Sequence, residues 1–269
     1  MKPGPGRLGA AMLLPALVLF PLLAVVLVTT LWPQRPQEAL FVPIEALGVG
    51  LPALLLAGRG SIHERLRSSG WTRTQGPAIV GASCGMLGLA ILMTYGQLLW
   101  TKVTGLTMPP GLVDLMTLTG PGPKLAWLTV GAVILPGVCE ELAFRGVLQR
   151  GLLGLVPGSS HLIALRLLGV AALFAAFHQD LYGLPSYLVL GTWLGWVAWI
   201  TRSLWPGALA HMANNSMALV QANLLEDSWW TAHALALVPF GVLTFATGAW
   251  VLLRSERTRP PAPDRKAPG

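Results

Sequence analysis

Glu140 and Glu141 stand side by side in an otherwise apolar run, Val138-Cys139-Glu140-Glu141-Leu142-Ala143-Phe144-Arg145-Gly146. A carboxylate in the middle of a bilayer costs about 2.5–3.5 kcal/mol on insertion scales unless it is paired or faces water. Two further polar pairs follow in later apolar segments, Phe174 with His178 and His211 with Asn215. Carboxylate, imidazole and amide are the groups needed to activate a water molecule and to hold the charge that forms when it attacks a carbonyl.

The spacing divides the labour. Glu141 and Arg145 are four residues apart with the acid first, the favourable order for a pair on one helix face. Glu140 lies about 100° further round an α-helix, so it is free to face a cavity. This makes Glu141 and Arg145 a structural brace and Glu140 the working carboxylate; a purely structural ion network is the alternative. His178, taken alone, reads as an interfacial histidine, and Asp180 beside it could orient it. His211 and Asn215 are one turn apart and share a face. Both can donate to an oxyanion, or the pair can be a helix-packing hydrogen bond. His211 could instead join Glu140 and His178 as a three-ligand zinc site, although Asn is a poor zinc ligand. Glu45 is a second acid in an apolar segment; it could pair with Arg166 or line a cavity mouth.

These residues need helices to carry them. The 269 residues are 54% hydrophobic and 11% charged, with a mean hydropathy of +0.63. A soluble domain carries about 25% charge, so the chain reads as an all-α, polytopic transmembrane bundle. Apolar runs long enough to span fall at 8–31, 39–57, 77–100, 124–149, 162–180, 184–201, 205–224 and 230–253. The first is too long for the core of a cleaved signal. Pro33 and Pro36, Pro109, Pro110, Pro121 and Pro123, Pro157-Gly158 and Pro206 punctuate the runs. The expected organisation is helices 1–3 with a basic loop over 1–123, a catalytic core over 124–224, a last span over 225–253 and a disordered tail over 254–269.

Thirteen Lys and Arg fall on the side of the N-terminus and three on the other, with Arg145 and Arg166 left near or within spans. That asymmetry puts both termini in the cytoplasm of a cell inner or plasma membrane. The net charge of +7 is therefore topology and not a nucleic-acid signal. Arg59 to Arg73 form a basic loop that meets anionic head groups. Gly81 with Gly85, and Gly191 with Gly195, mark close helix packing. Cys84 and Cys139 read as small hydrophobes in different spans. Trp193, Trp196 and Trp199 on one broad face read as packing or a lipid-facing stripe, with a substrate-prenyl groove as the sharper alternative.

The ordered trio E-E-x-x-x-R, F-x-x-x-H and H-x-x-x-N resembles the CPBP family of intramembrane proteases. That family includes the type II CAAX prenyl proteases and bacterial proteins similar to lysostaphin resistance protein A. The resemblance covers about 124–224 and implies an endopeptidase acting within the membrane. Carried over by motif position, Glu140 and His178 would activate the water, and His211 and Asn215 would stabilise the oxyanion. Glu141, Arg145 and Phe174 would support the site. The mechanism implied is a glutamate one that requires no cofactor, with zinc held by Glu140, His178 and His211 as the alternative. The implied partners are the bilayer and a membrane-bound or lipid-anchored protein or peptide. A non-catalytic scaffold or immunity protein of the same fold is the competing reading. A small proton-coupled transporter is the third, disfavoured by the absence of an internal repeat.

One expectation concerns depth. If the fifth span starts at Leu162, His178 lies about 24 Å along it, far from Glu140 and His211. The expected resolution is that residues near 157–166 lie at the interface and the span runs on past His178, placing it deeper.

Overall fold

The computed structural model describes residues 6–118, 122–153, 160–224 and 226–258. The described residues form helices and turns with no strand. In chain order the helices are α1 (Arg7–Leu31), α2 (Gln37–Leu56), α3 (Ile62–Ser69), α4 (Gly76–Thr104), α5 (Pro110–Met116), α6 (Pro123–Leu152), α7 (Ser160–Phe177), α8 (Leu184–Thr201), α9 (Trp205–Leu224), α10 (Asp227–Ala232) and α11 (Ala234–Arg257). Pro121, the Pro157-Gly158 break and residues 259–269 of the expected tail lie outside the described residues. The helix of the last span continues through Arg257, so the tail boundary expected at 254 falls too early.

Six helices among the described residues, α1, α2, α4, α6, α7 and α11, are long and apolar enough to cross a membrane. The other two expected runs do form helices, α8 of 18 residues and α9 of 20. Their indoles, prolines and amides lower the apolar average. In α9 that content includes His211, Asn214 and Asn215. Helices of that number, length and apolarity are those of an integral membrane protein.

Two of the spanning helices are not plain α-helices. Wide π-helical turns run over Ile44–Gly50 in α2 and over Thr129–Ile134 and Glu141–Gln149 in α6. Such turns are rare and concentrate at functional sites. Here they bracket Glu45 and the Glu140-Glu141 pair. An angle between neighbours read from α-helical geometry does not carry over to them unchanged.

The bundle packs through small residues, as expected for helices that gain nothing by hiding from lipid. α4 and α11 touch backbone to backbone: a Cβ on Gly248 would meet the Gly85 nitrogen at 2.2 Å, and one on Gly81 the Leu252 nitrogen at 2.6 Å. Gly191 of α8 lies against Ala171 of α7, and Gly195 of α8 against Gln149 of α6. The core that fills the remaining space includes Leu13, Met86, Phe144, Val170, Phe174 and Leu194. Cys139 is buried in it and Cys84 is half-buried; both are free thiols. Trp193, Trp196 and Trp199 do not share one fate. Trp193 is buried and donates to the Ala82 carbonyl at 3.3 Å, Trp196 leans on it at 5.2 Å, and Trp199 is exposed.

Because no flexible side chain separates α4 from α11 at Gly248, overpacking there has nowhere to go. Gly248→Leu is expected to destabilise the protein by about 1–3 kcal/mol or more. Gly76→Ala, where a Cβ meets nothing within 4 Å, is expected to stay within about 0.5 kcal/mol of wild type. Denaturant titration of the protein in mixed micelles checks both.

Candidate active site

An ion pair stands at the centre of the site. Arg145 Nη1 donates to Glu141 Oε1 at 2.8 Å, and both side chains are fully buried. Arg145 Nη2 donates to the Gly191 carbonyl of α8 at 3.2 Å. The guanidinium lies over the Phe174 ring of α7 at 4.5 Å, a cation–π contact strengthened by desolvation. His211 of α9 places Nδ1 at 3.2 Å from Glu141 Oε1. One carboxylate–guanidinium pair thus ties α6 to three other helices.

α9 reaches this depth because α6 lets it approach. A Cβ on Gly137 would meet the Ala208 carbonyl at 2.9 Å, and one on Gly207 the Glu141 Oε2 atom at 3.1 Å. With the two helices that close, His211 also faces Glu140, with Nε2 at 3.7 Å from Oε2. That separation is beyond hydrogen-bond range. Glu140 is buried and its Oε2 has no hydrogen-bond partner among the described residues. A buried carboxylate oxygen without a donor is costly, so Glu140 is held in a state that a reacting group can improve.

Asn215 is placed by a different logic. Pro136 has no N–H to give to the carbonyl four residues before it, that of Ala132. Asn215 Nδ2 donates to that carbonyl at 3.0 Å, and Asn214 Nδ2 donates to Asn215 Oδ1 at 3.1 Å. A carboxamide has two N–H donors, so one bond to Ala132 leaves the other available.

His178 sits otherwise than expected. α7 begins at Ser160 and ends at Phe177, so the helix does not run past His178. The residue lies in the turn that follows, where Gln179 takes a left-handed φ of 51°. Its Nδ1 lies 2.8 Å from the Phe174 carbonyl; only an N–H can bond there, so Nε2 is left as the acceptor of the neutral ring. The imidazole stacks on Tyr187 at 3.9 Å and touches Phe174 at 4.8 Å, and Phe174 in turn lies 6.0 Å from the His211 ring. No hydrogen bond or ion pair joins His178 to Glu140 or His211 among the described residues; Phe174 is the link.

Asp180 does not bond His178. It accepts from the Tyr182 and Gly183 amides at 2.9 and 3.0 Å, and from the Tyr187 hydroxyl at 3.4 Å. It therefore fixes the turn and steadies the ring that stacks on His178. From α4, Gln97 and Trp100 donate to the Tyr182 and Leu181 carbonyls. Tyr187 carried no signal in the sequence beyond its aromatic type.

Glu45, read from the sequence as a partner for Arg166 or as lining a cavity mouth, is buried, with Oε2 lacking a hydrogen-bond partner among the described residues. It lies on the π-helical part of α2, which packs on the Leu135–Glu140 segment of α6. At Gly50 a Cβ would meet the Cys139 sulfur at 2.8 Å. Glu45 is close enough to Glu140 and to the Cys139 thiol to interact electrostatically with both. A third carboxylate therefore borders the site. For the zinc alternative, no group of three or more His, Cys, Asp or Glu among the described residues is arranged to hold a metal ion. Glu140, His178 and His211 do not converge as such a set.

Residues 122–217 match the family described as Rce1-like, type II CAAX prenyl endopeptidase Rce1-like. The match takes in all three motifs, so this part of the chain is similar to the Rce1-like family, in line with the CPBP resemblance of the motif order. No curated protein and no solved structure matches the chain.

Removing one partner of the central pair leaves the other charge stranded. Arg145→Met is expected to cost about 3–5 kcal/mol, and the double change Glu141→Leu with Arg145→Met less than that. Unfolding by denaturant titration in mixed micelles distinguishes these outcomes.

Proposed function

We propose that the protein is an intramembrane endopeptidase of the CAAX-protease type, with Glu140 as the base that activates water. The observation carrying this reading is Glu140 itself: a buried carboxylate with an oxygen uncommitted among the described residues, next to a carboxylate that is committed through Oε1 to Arg145 and His211. The Rce1-like match over 122–217 supports a hydrolase acting on a membrane-associated protein.

In this mechanism Glu140 takes a proton from water as its oxygen bonds to the scissile carbonyl carbon. The carbonyl π electrons move onto oxygen, and the oxyanion accepts from the second N–H of Asn215 and from His211. His178, whose Nε2 is open, orients the water once the bound substrate brings the two within hydrogen-bond reach. Collapse of the tetrahedral species breaks the C–N bond, and the proton held by Glu140 passes to the leaving amine. Glu141, Arg145 and Phe174 hold His211 and Glu140 in place. The reaction is written without a metal.

The substrate is a membrane-bound or lipid-anchored protein or peptide, of the CAAX type or a peptide awaiting maturation. An apolar cleft of about 500 Å³ between α4, α8 and α11, lined by Trp193, Trp196 and Phe245 among others, offers a surface for an apolar chain. The bundle is read as eight spans, with α8 and α9 included and both termini cytoplasmic. In that frame the chain beyond Arg257 is a cytoplasmic tail, and residues 124–224 are the catalytic core. A non-catalytic scaffold of the same fold has no use for the open oxygen of Glu140.

The test is proteolysis by purified protein in liposomes, with a fluorogenic prenylated peptide and unmodified membrane peptides. Glu140→Gln is expected to lower the rate by at least about 10²–10⁴-fold, the scale of general-base catalysis. Asn215→Ala is expected to lower it by about 10²–10³-fold, the scale of one oxyanion donor. Activity should persist with a zinc chelator. Cleavage that survives Glu140→Gln sinks the assignment of the base, and loss with chelator replaces it with a metal mechanism.

A further inference from the structure

A second cavity, of about 600 Å³, lies between the ends of α6 and α8. Its walls carry three arginines, Arg145, Arg150 and Arg202, with Gln149, and no acidic residue lines it among the described residues. Trp199 and Ile200 form its apolar side. None of the three sequence motifs assigns this space a purpose.

The charges in it are largely unspent. Arg145 at the closed end is neutralised by Glu141, yet its Nε has no hydrogen-bond partner and is buried. Arg150 gives one bond, from Nη2 to the Arg202 carbonyl at 2.9 Å. Gly70 makes room for that guanidinium, since a Cβ there would meet Nη2. The Arg202 side chain is exposed, and no side-chain hydrogen bond or ion pair of its own occupies it among the described residues. Arg202 itself takes a left-handed φ of 54°, a conformation uncommon for a non-glycine residue. The backbone turn at this position is therefore built into the cavity wall. Two guanidiniums facing one cavity without a carboxylate between them repel each other, and a phosphate oxygen bridging them relieves this with charge-assisted bonds.

We propose that this cavity binds the phosphate head group of an anionic phospholipid. The lipid source is favoured over a soluble phosphate by the shape of the lining. Arginines occupy one side, and Trp199 and Ile200 the other, at the ends of two membrane helices. Indoles and arginines are the side chains that settle at a bilayer surface. A head group sits among the arginines while the first methylenes of its chains lie along the indole. The basic loop around Arg67 and Arg73 attracts acidic lipid generally; the cavity holds one molecule. The inference does not depend on the proteolytic reading.

The test is native mass spectrometry of the full-length protein released from micelles. The micelles contain phosphatidylglycerol, or phosphatidylcholine with identical chains. Wild type is expected to retain one phosphatidylglycerol in preference to phosphatidylcholine. Arg202→Gln, an exposed side chain whose loss leaves the bundle intact, is expected to weaken retention about fivefold, the contribution of one arginine at an acidic lipid surface. Arg67→Gln, exposed at the same end but outside the cavity, is expected to change retention little. Millimolar inorganic phosphate is expected not to displace the lipid. Equal retention of the two lipids overturns the proposal, as does an equal effect of Arg67→Gln. Displacement by inorganic phosphate reassigns the cavity to a free anion and overturns the lipid assignment. Cleavage by the Arg202→Gln variant is read separately, so a failed peptidase assay does not bear on the result.

Discussion

A buried arginine is the costliest side chain to place in this bundle, and Arg145 is fully buried. Desolvating it and Glu141 costs several kcal/mol per ion, which their mutual attraction offsets only when the remaining donors and acceptors are also met. The structure meets most of them from different helices. Gly191 supplies a carbonyl from α8, His211 a ring nitrogen from α9 and Phe174 a π face from α7. The electrostatic requirement of one pair on α6 thereby fixes the rotation and depth of three neighbours. Because Glu140 is the next residue along, satisfying Glu141 commits Glu140 to a different direction, where no arginine answers it.

Helix proximity is the second constraint, and it serves the first. Gly137 and Gly207 bring α9 against α6 closely enough that His211 meets both glutamates. A larger residue at either position would push the imidazole out of reach of Glu141 and loosen the pair. The His178 turn is held by other means. Asp180 ties its amides together, Gln97 and Trp100 anchor its carbonyls to α4, and Tyr187 stacks on the ring. Sites supported by rigid elements hold their geometry better than sites left to loops, and here the one residue on a turn has the most elaborate support.

The sequence carried much of this, unevenly. The apolar runs at 8–31 and 77–100 are helices at those places because long uninterrupted apolarity has one solution in a bilayer. The four-residue interval between Glu141 and Arg145 likewise foretold a contact that does form. The helix expected to run past His178 stops at Phe177, because a run of apolar residues does not mark where a helix stops; the turn after Phe177 is set by Asp180 and by contacts from α4, 80 or so residues away, so no local signal announces it. Glu45 could not be assigned a neighbour, since its proximity to Cys139 and Glu140 follows from how the wide turns of α2 pack on α6. One local signal was available and unused. Pro136 must leave the Ala132 carbonyl without its helical donor, so a polar side chain from another helix was required there, and Asn215 supplies it.

The polar atoms of the core fall into two groups, and their division is informative about what the site accepts. Glu141 Oε1, Arg145 Nη1 and Nη2, His178 Nδ1 and one Asn215 N–H are bonded to protein. Oε2 of Glu140, of Glu141 and of Glu45 are buried without a donor among the described residues, while a second Asn215 N–H remains to be used. Each buried unmet group costs about 1–3 kcal/mol, and a bundle this closely packed retains several only at positions where something other than its own side chains can meet them. Open carboxylate oxygens ask for a donor, and an open amide asks for an acceptor. A water molecule meets the first and a peptide carbonyl the second, and hydrolysis brings those two groups together. The same arrangement is a liability for a protein that merely scaffolds, which is why the uncommitted oxygen of Glu140 weighs more in the functional reading than the number of charged residues around it.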